Sequence, residues 1–211
     1  MRILGIDEAG RGCVIGPLVI AGVLVDEKGT KELRKLGVLD SKRFPPQKRE
    51  ELLLVIKSIA LKITTRIIQS WEIDESNLNL IELENTAHII SELNPDEVYF
   101  DVPTHPKGVR SYCKSLSLLV SSSVKLRGEN EADKKYPIVG AASIVAKVER
   151  DRRIEELKKE YGDFGSGYPS DEKTRGFIKR WYEEKGELPD IVRKKWKSVQ
   201  RMISPQLRLF G

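Results

Sequence analysis

Apolar residues lie along the chain in short runs and in helical spacings, which together predict alternating strands and helices. The first two runs are joined through a Gly-Arg-Gly sequence and predict a β-hairpin with a non-standard turn. The remaining runs are bounded by glycine, proline and polar residues, as strands usually are. The five predicted strands are Arg2–Ile6, Leu18–Val25, Ile59–Ile68, Glu97–Phe100 and Ser117–Leu126.

Between these strands, apolar positions recur every three or four residues, which predicts amphipathic helices. The predicted helices are Thr30–Leu36, Pro46–Lys57, Leu78–Leu93, Lys107–Leu116 and Ile138–Tyr161. Three alanines near the start of the last helix would let it pack closely against a sheet. The pattern predicts an α/β fold with a five-stranded mixed sheet flanked by helices. Glycines break the pattern near residue 165, so we predict a main domain over residues 1–167 and a small helical extension over 168–211.

Composition narrows the classes of protein to consider. The 211 residues fit one large domain, and 33% charged residues with a net charge of +5 favour polyanionic partners. No apolar run approaches the roughly 20 residues of a membrane span, and the N-terminus lacks a signal peptide, so we expect a cytoplasmic protein. Two cysteines, Cys13 and Cys113, and two histidines are too few for a disulfide scaffold or a zinc site.

Acidic residues stand at the ends of predicted strands. Asp7 and Glu8 directly follow the first predicted strand, Asp101 directly follows the fourth, and Asp133 lies in a charged loop before the longest helix. Oxygen ligands suit Mg²⁺ or Mn²⁺ and argue against zinc. Adjacent strand residues point to opposite faces, so Asp7 and Glu8 share an ion only if the strand ends or bulges there. The alternatives are a solvated pair beside a turn and, for Asp133, a plain helix-entry residue.

Five ordered motifs resemble the ribonuclease HII family, in particular its archaeal form. They are GIDEAGRGCVIGP from Gly5, DSKRF from Asp40, DVP from Asp101, ADKKYPIVGAASIVAK from Ala132 and GSGYPSD from Gly165. The resemblance implies a ribonuclease H-like fold. It also implies hydrolysis of the RNA strand of RNA–DNA hybrids and nicking 5′ of single ribonucleotides in duplex DNA. The products would carry a 3′-hydroxyl and a 5′-phosphate, as ribonucleotide removal and RNA primer processing in replication and repair require.

The resemblance also implies roles for individual residues. Two divalent ions, Mg²⁺ or Mn²⁺, would be held by four carboxylates, those of Asp7, Glu8, Asp101 and Asp133. Seven residues would contact the nucleic acid: Gly10, Arg11, Gly12, Lys42, Ser143, Lys147 and Tyr168. The glycines let the backbone approach the 2′-hydroxyl, and the tyrosine would pack on the deoxyribose that follows a ribonucleotide. Four of them have simpler alternatives: Lys42 and Lys147 could be solvated surface residues, Ser143 a small packing residue, and Tyr168 a loop aromatic that covers the core edge.

The end of the chain suggests a protein partner. Gln206 to Phe210 resembles the sliding-clamp-binding peptide of replication proteins, in which Leu209 fits, although Phe210 comes two positions early. The alternative is a tail that docks on its own domain, and the family resemblance implies a monomer.

Two other functions explain the sequence less well. A non-enzymatic nucleic-acid binder does not explain the clustered acids, and another metal-dependent phosphohydrolase or a resolvase does not explain Gly-Arg-Gly or the YPSD sequence.

Overall fold

A computed structural model describes residues 1–40 and 43–204. The strands are β1 (Ile3–Ala9), β2 (Leu18–Val25), β3 (Lys62–Ile68), β4 (Glu97–Asp101) and β5 (Lys125–Glu129). The helices are α1 (Glu27–Leu36), α2 (Pro46–Ile59), α3 (Ser70–Glu75), α4 (Leu78–Leu93), α5 (Val109–Ser117), α6 (Pro137–Tyr161), α7 (Glu172–Lys185) and α8 (Lys197–Ile203).

The five strands form one mixed sheet in the order β3-β2-β1-β4-β5. β1 pairs antiparallel with β2 in an unbroken register from Ile3↔Val25 to Ala9↔Val19. β4 lies parallel to β1 on its other side, and β5 is parallel to β4. Since β1 and β2 are buried almost throughout, the near-continuous apolar runs of the first 25 residues are those of strands covered on both faces. The predicted five-stranded mixed sheet is confirmed.

The first half of α6 packs directly on β1. Ala141, Ala142 and Ala146 are fully buried, as their small size suggested. A Cβ added to Gly5 would lie 2.2 Å from the carbonyl oxygen of Ile138, so only glycine allows the helix to approach the strand this closely. This contact fixes the start of α6 beside the strand that carries the Asp7-Glu8 pair.

The fifth strand was predicted in the wrong place. The apolar stretch after Leu116 does not form a strand, because α5 continues through Ser117 and a turn follows it. The strand itself, Lys125–Glu129, is a half-exposed edge strand with few apolar residues, so its sequence lacks the hydrophobic signal on which the prediction relied. The third strand is also shorter than predicted, since α2 extends through Ile59.

The chain folds into two compact units. The first contains Met1–Ala9, Val19–Arg66 and Leu78–Glu149, and the second contains Gly10–Leu18, Ile67–Asn77 and the described residues from Arg150 onward. The second unit has its own hydrophobic cluster, which includes Ile15, Phe164, Ile178 and Val199. This grouping is discontinuous in sequence, and the boundary at residues 167/168 stays a prediction.

Cys13 and Cys113 are free thiols, of which Cys13 is buried. No helix in the described ranges combines the length and the apolar character needed to cross a membrane.

Candidate active site

In the first unit, Asp7 is a buried carboxylate near the end of β1, with only 6% of its surface exposed. Its side chain accepts a hydrogen bond of 2.8 Å from the Glu8 amide and is hydrogen-bonded to the Ser143 side chain on α6. Burial raises the pKa of Asp7 to about 7, and the nearby charges of Asp101 and Asp133 add to this rise. Asp7 therefore has two other carboxylates as neighbours.

The segments that carry these neighbours are linked through the backbone. Asp101, the last residue of β4, accepts a hydrogen bond of 3.1 Å from the amide of Ala132. Asp133 follows in a short 3-10 helix and is buried. Its carbonyl accepts a hydrogen bond of 3.2 Å from the amide of Asp40, the first residue of the DSKRF motif. Lys42 of that motif lies outside the described residues.

Glu8 and Asp7 leave β1 on opposite sides, because the register with β2 stays regular through Ala9. Asp7 faces Ser143, whereas Glu8 lies near Tyr112 on α5. The pKa of Tyr112 is raised mainly by burial, and the negative charge of Glu8 adds to this rise. The strand ends at Ala9, one residue beyond Glu8. Over residues 1–40 and 43–204, no three His, Cys, Asp or Glu side chains form a group that could hold a metal ion. The assignment of the four carboxylates as ligands stays a prediction.

The donor set nevertheless fits a hard divalent cation. All of its atoms are carboxylate oxygens, the ligands that Mg²⁺ and Mn²⁺ prefer. Asp7 is buried beside two like charges, and a bound cation would offset both its desolvation and this repulsion. Ser143 and Lys147 lie one turn apart on the same face of α6. Lys147 therefore lies on the face of α6 whose Ser143 side chain bonds Asp7.

The second unit contains the Gly-Arg-Gly sequence, which forms a β-turn. The amide of Cys13 donates to the carbonyl of Gly10 at 3.2 Å, so Arg11 and Gly12 are the central residues. Gly10 has φ +89°, and a Cβ there would lie 2.5 Å from the carbonyl oxygen of Pro17. Gly12 is exposed, and its φ is not positive. Gly10 is thus required by the turn itself, while Gly12 leaves an open backbone surface.

Tyr168 lies beside this turn. A Cβ added to Gly12 would be 3.8 Å from the Cε1 atom of the Tyr168 ring. The guanidinium of Arg150 stacks on that ring at 5.2 Å from its centroid and donates to the carbonyl of Ser166 at 2.6 Å. Burial is the main cause that raises the pKa of Tyr168 to about 12, so the ring is neutral at physiological pH. The structure therefore brings together Gly12 and Tyr168, which are 156 positions apart in the sequence.

Two arginines that the sequence analysis did not single out are buried in this unit. Arg150 is 2% exposed and also donates to the Cys13 thiol at 2.9 Å. Arg193 is fully buried, and burial lowers its pKa to about 10. Both lie in charged stretches that predict solvated side chains, so no sequence signal distinguishes them from their exposed neighbours.

The raised pKa of Asp7 predicts how its removal affects stability. The pKa is about 7 in the fold and 3.8 in the unfolded chain, so Asp7 destabilises the metal-free protein increasingly as pH rises from about 4 to about 7. We expect Asp7→Asn to raise the melting temperature in EDTA by several degrees at pH 8, since each pKa unit corresponds to about 1.4 kcal/mol, and by less at pH 5.

Asp190→Asn is the matched control for this measurement. The Asp190 side chain is 79% exposed, so its replacement should change stability little at either pH. An equal gain for Asp7→Asn at both pH values would contradict the account of its burial.

Comparisons with known proteins agree with the motifs. The family model of ribonuclease HII matches residues 4–199. Ribonuclease HII from Pyrococcus furiosus is 43% identical over 206 residues, which cover 96% of this chain and 91% of the relative. The crystal structure of the ribonuclease H2 from Pyrococcus horikoshii OT3 has a TM-score of 0.89 at 39% identity and covers 99% of both chains. The structure of the PCNA:RNase HII complex from Archaeoglobus fulgidus has a TM-score of 0.84 at 43% identity over 93% of this chain and 96% of that one. The ribonuclease H-like fold is confirmed, and the chain belongs to the ribonuclease HII family of endoribonuclease hydrolases.

Proposed function

We propose that this protein hydrolyses the RNA strand of RNA–DNA hybrids and also nicks duplex DNA on the 5′ side of single embedded ribonucleotides. The observation that carries the second activity is the Gly10–Cys13 turn beside the Tyr168 ring. This pair combines an exposed backbone that can reach a sugar hydroxyl with an aromatic face that can pack on the next sugar. A nuclease that cleaved any phosphodiester would need neither.

The proposed hydrolysis depends on four carboxylates. Asp7, Glu8, Asp101 and Asp133 would hold two divalent ions, Mg²⁺ or Mn²⁺. When bound, such ions activate a water molecule and stabilise the leaving oxygen of a phosphodiester. Ser143 orients Asp7 through its hydrogen bond, and the Ala132 amide orients Asp101. Along the chain, only Ala9 separates Glu8 from Gly10.

Recognition of the ribonucleotide depends on its 2′-hydroxyl, which is a hydrogen-bond donor and acceptor on the minor-groove side. The backbone of Gly10 and Gly12 contacts this group, and Arg11 neutralises an adjacent phosphate. Tyr168 packs on the deoxyribose that follows, where a second 2′-hydroxyl would clash with the ring. The Arg150 guanidinium stacks on the ring and is itself held by its hydrogen bond to the Ser166 carbonyl, which keeps the ring in place.

Lys147, Lys42 and Ser143 are proposed to fix the phosphate backbone without reading the base sequence. Support for Ser143 and Lys147 is their shared face on α6 and the bond from Ser143 to Asp7. Ser143 is thus more than a small packing residue. Lys42 is proposed from its place in DSKRF alone.

A partner is proposed for the C-terminus. The similar chain from Archaeoglobus fulgidus was solved as a PCNA:RNase HII complex. We propose that Gln206 to Phe210, which lies outside the described residues, binds the sliding clamp, and that this attachment delivers the enzyme to replicating DNA.

The central test uses a duplex with one embedded ribonucleotide, compared with an all-DNA duplex and an RNA–DNA hybrid. We expect Mg²⁺-dependent cleavage of the first and third substrates, with a 3′-hydroxyl product. Asp101→Asn should lower kcat by at least ~100-fold, because removal of a ligand weakens charge stabilisation, while the melting temperature in EDTA holds or rises. Full activity of Asp101→Asn would refute the metal assignment, and cleavage of all-DNA duplex would refute ribonucleotide recognition.

A second prediction separates junction recognition from chemistry. Tyr168→Ala should lower kcat/KM for the single embedded ribonucleotide roughly tenfold, the equivalent of ~1.4 kcal/mol of lost packing, and should lower it less for an all-RNA strand in a hybrid. Only the first substrate presents an RNA–DNA junction to the ring. Both assays are run at one salt concentration, because affinity for nucleic acid depends steeply on ionic strength.

Two variants control this comparison. Tyr168→Phe keeps the ring and should keep the preference. Gly12→Ala should harm both substrates alike, since the 2′-hydroxyl contact is common to them; it is preferable to Gly10→Ala, which would strain the turn by itself. Equal losses on both substrates in Tyr168→Ala would show that the tyrosine does not read the junction.

The clamp proposal is tested by deleting Gln206 to Gly211 and titrating the cognate clamp. We expect binding to fall by at least tenfold, while cleavage of a short duplex without the clamp is unchanged. Equal affinity of the truncated and full chains, or no binding by either, would end the proposal.

A further inference from the structure

The fully buried guanidinium of Arg193 is hydrogen-bonded to the turn that carries Gly-Arg-Gly. Its Nη1 donates to the carbonyl of Arg11 at 2.8 Å, and its Nη2 donates to the carbonyls of Gly10 at 2.7 Å and Gly16 at 3.1 Å. Trp196 provides a flat surface on which the guanidinium stacks at 4.8 Å. The two outer nitrogens of this planar fork thus bind three carbonyls of one short segment that is more than 170 positions away in sequence.

The backbone around Arg193 reinforces this placement. The Arg193 amide donates to the carbonyl of Val14 at 2.9 Å, and the Gly16 amide donates to the carbonyl of Ile191 at 2.9 Å. An isolated β-bridge joins Ile15 and Val192 between these two bonds. These bonds fix the backbone of Arg193 beside the segment that follows the turn, and from there its side chain reaches the carbonyls of Gly10 and Arg11.

The bond to the Arg11 carbonyl determines the orientation of the central peptide of the turn. Type I and type II turns differ by a rotation of about 180° of this peptide, and a type II turn requires a positive φ at its third residue, which glycine adopts easily. Gly12 occupies that position and so makes both forms accessible, but in this structure its φ is not positive. Arg193 stabilises one form by binding the carbonyl that the rotation would carry away.

The orientation of the carbonyls also determines where the amides point. In a trans peptide, the C=O and the following N–H point in opposite directions. The carbonyls of Gly10 and Arg11 point at the buried guanidinium, so the amides of Arg11 and Gly12 point away from it. Gly12 is exposed, and its amide is a donor on the open side of the turn.

We propose that Arg193 is a positioning residue for ribonucleotide recognition: it keeps the central peptide of the turn in the orientation that presents the Gly12 amide to the 2′-hydroxyl. The proposal rests on the proposed function, in which this turn contacts the ribose. Arg193 does not touch the nucleic acid. Lysine cannot replace it, because an ammonium group lacks the planar fork that spans the carbonyls, although it keeps the positive charge.

The test measures discrimination between sugars by binding rather than by turnover. Dissociation constants are determined in EDTA, at one salt concentration, for a duplex with one ribonucleotide and for the all-DNA duplex of the same sequence. In Arg193→Lys, we expect the preference for the ribonucleotide duplex to fall by about 2- to 10-fold, the equivalent of one hydrogen bond, with affinity for all-DNA duplex within twofold of the wild type. Partial unfolding would weaken both equally and leave the ratio unchanged.

Two further variants make the result decisive. Val199→Ala removes packing from the same hydrophobic cluster and should keep the wild-type ratio despite lower stability. Trp196→Leu removes the stacking surface of the guanidinium and should lower the preference for the ribonucleotide duplex less than Arg193→Lys does. If Arg193→Lys does not fold, the preference of Trp196→Leu tests the inference in its place. A wild-type preference that persists in the folded Arg193 variant, or in Trp196→Leu in its place, overturns the inference alone. A wild type without any preference or nicking activity refutes the proposed function instead.

Discussion

The constraint on which the first unit depends is the burial of one carboxylate beside two others. Asp7 lies on the central strand of the sheet, where its removal from water costs free energy and is the main cause that raises its pKa to about 7. The fold offsets part of this cost with hydrogen bonds from Ser143 and the Glu8 amide. The close approach of α6 to Gly5 brings Ser143 to that position. The hydrogen bond that stabilises the Asp7 carboxylate therefore depends on the packing of α6 against β1. A destabilised carboxylate of this kind is typical of functional sites, because stability alone would favour an apolar residue there.

The sequence predicted those parts of the fold whose signal is local. The hairpin follows from two apolar runs, and α4 and most of α6 follow from the helical spacing of their apolar residues, many of which are buried in the structure. β5 was misplaced because an edge strand with one solvated side needs few apolar residues, and the apolar residues after Leu116 follow a helix instead. The motifs predicted which acids would hold the metal ions, and that assignment stays a prediction. They did not predict that Asp7 and Glu8 would leave a regular strand on opposite sides.

The composition of the second unit could not be predicted from local patterns, which predict only a helical extension over residues 168–211. Its Gly10–Leu18 segment lies in the middle of an apolar hairpin sequence, yet its hydrogen bonds go to Gly167, Ile191 and Arg193. Contacts between residues that are 150 or more positions apart produce no periodic pattern in a single sequence. The same holds for its arginines, since a lysine-rich, arginine-rich C-terminal chain predicts solvated charge, whereas Arg150 and Arg193 are buried with carbonyls and aromatic rings as partners.

These buried arginines bear on how a basic nuclease can combine affinity with selectivity. An exposed cation attracts any phosphate backbone and adds affinity without discrimination, and the attraction falls as salt rises. A cation whose donors are used by protein carbonyls contributes little to that attraction, but it makes a glycine-rich turn rigid. Gly10 and Gly12 allow close approach only because they lack side chains, and for the same reason they would leave the turn free to change its shape. Binding of the turn's carbonyls by a planar, stacked guanidinium removes this freedom without adding bulk on the exposed side. In the proposed recognition of a 2′-hydroxyl, the rigid element behind these glycines is Arg193.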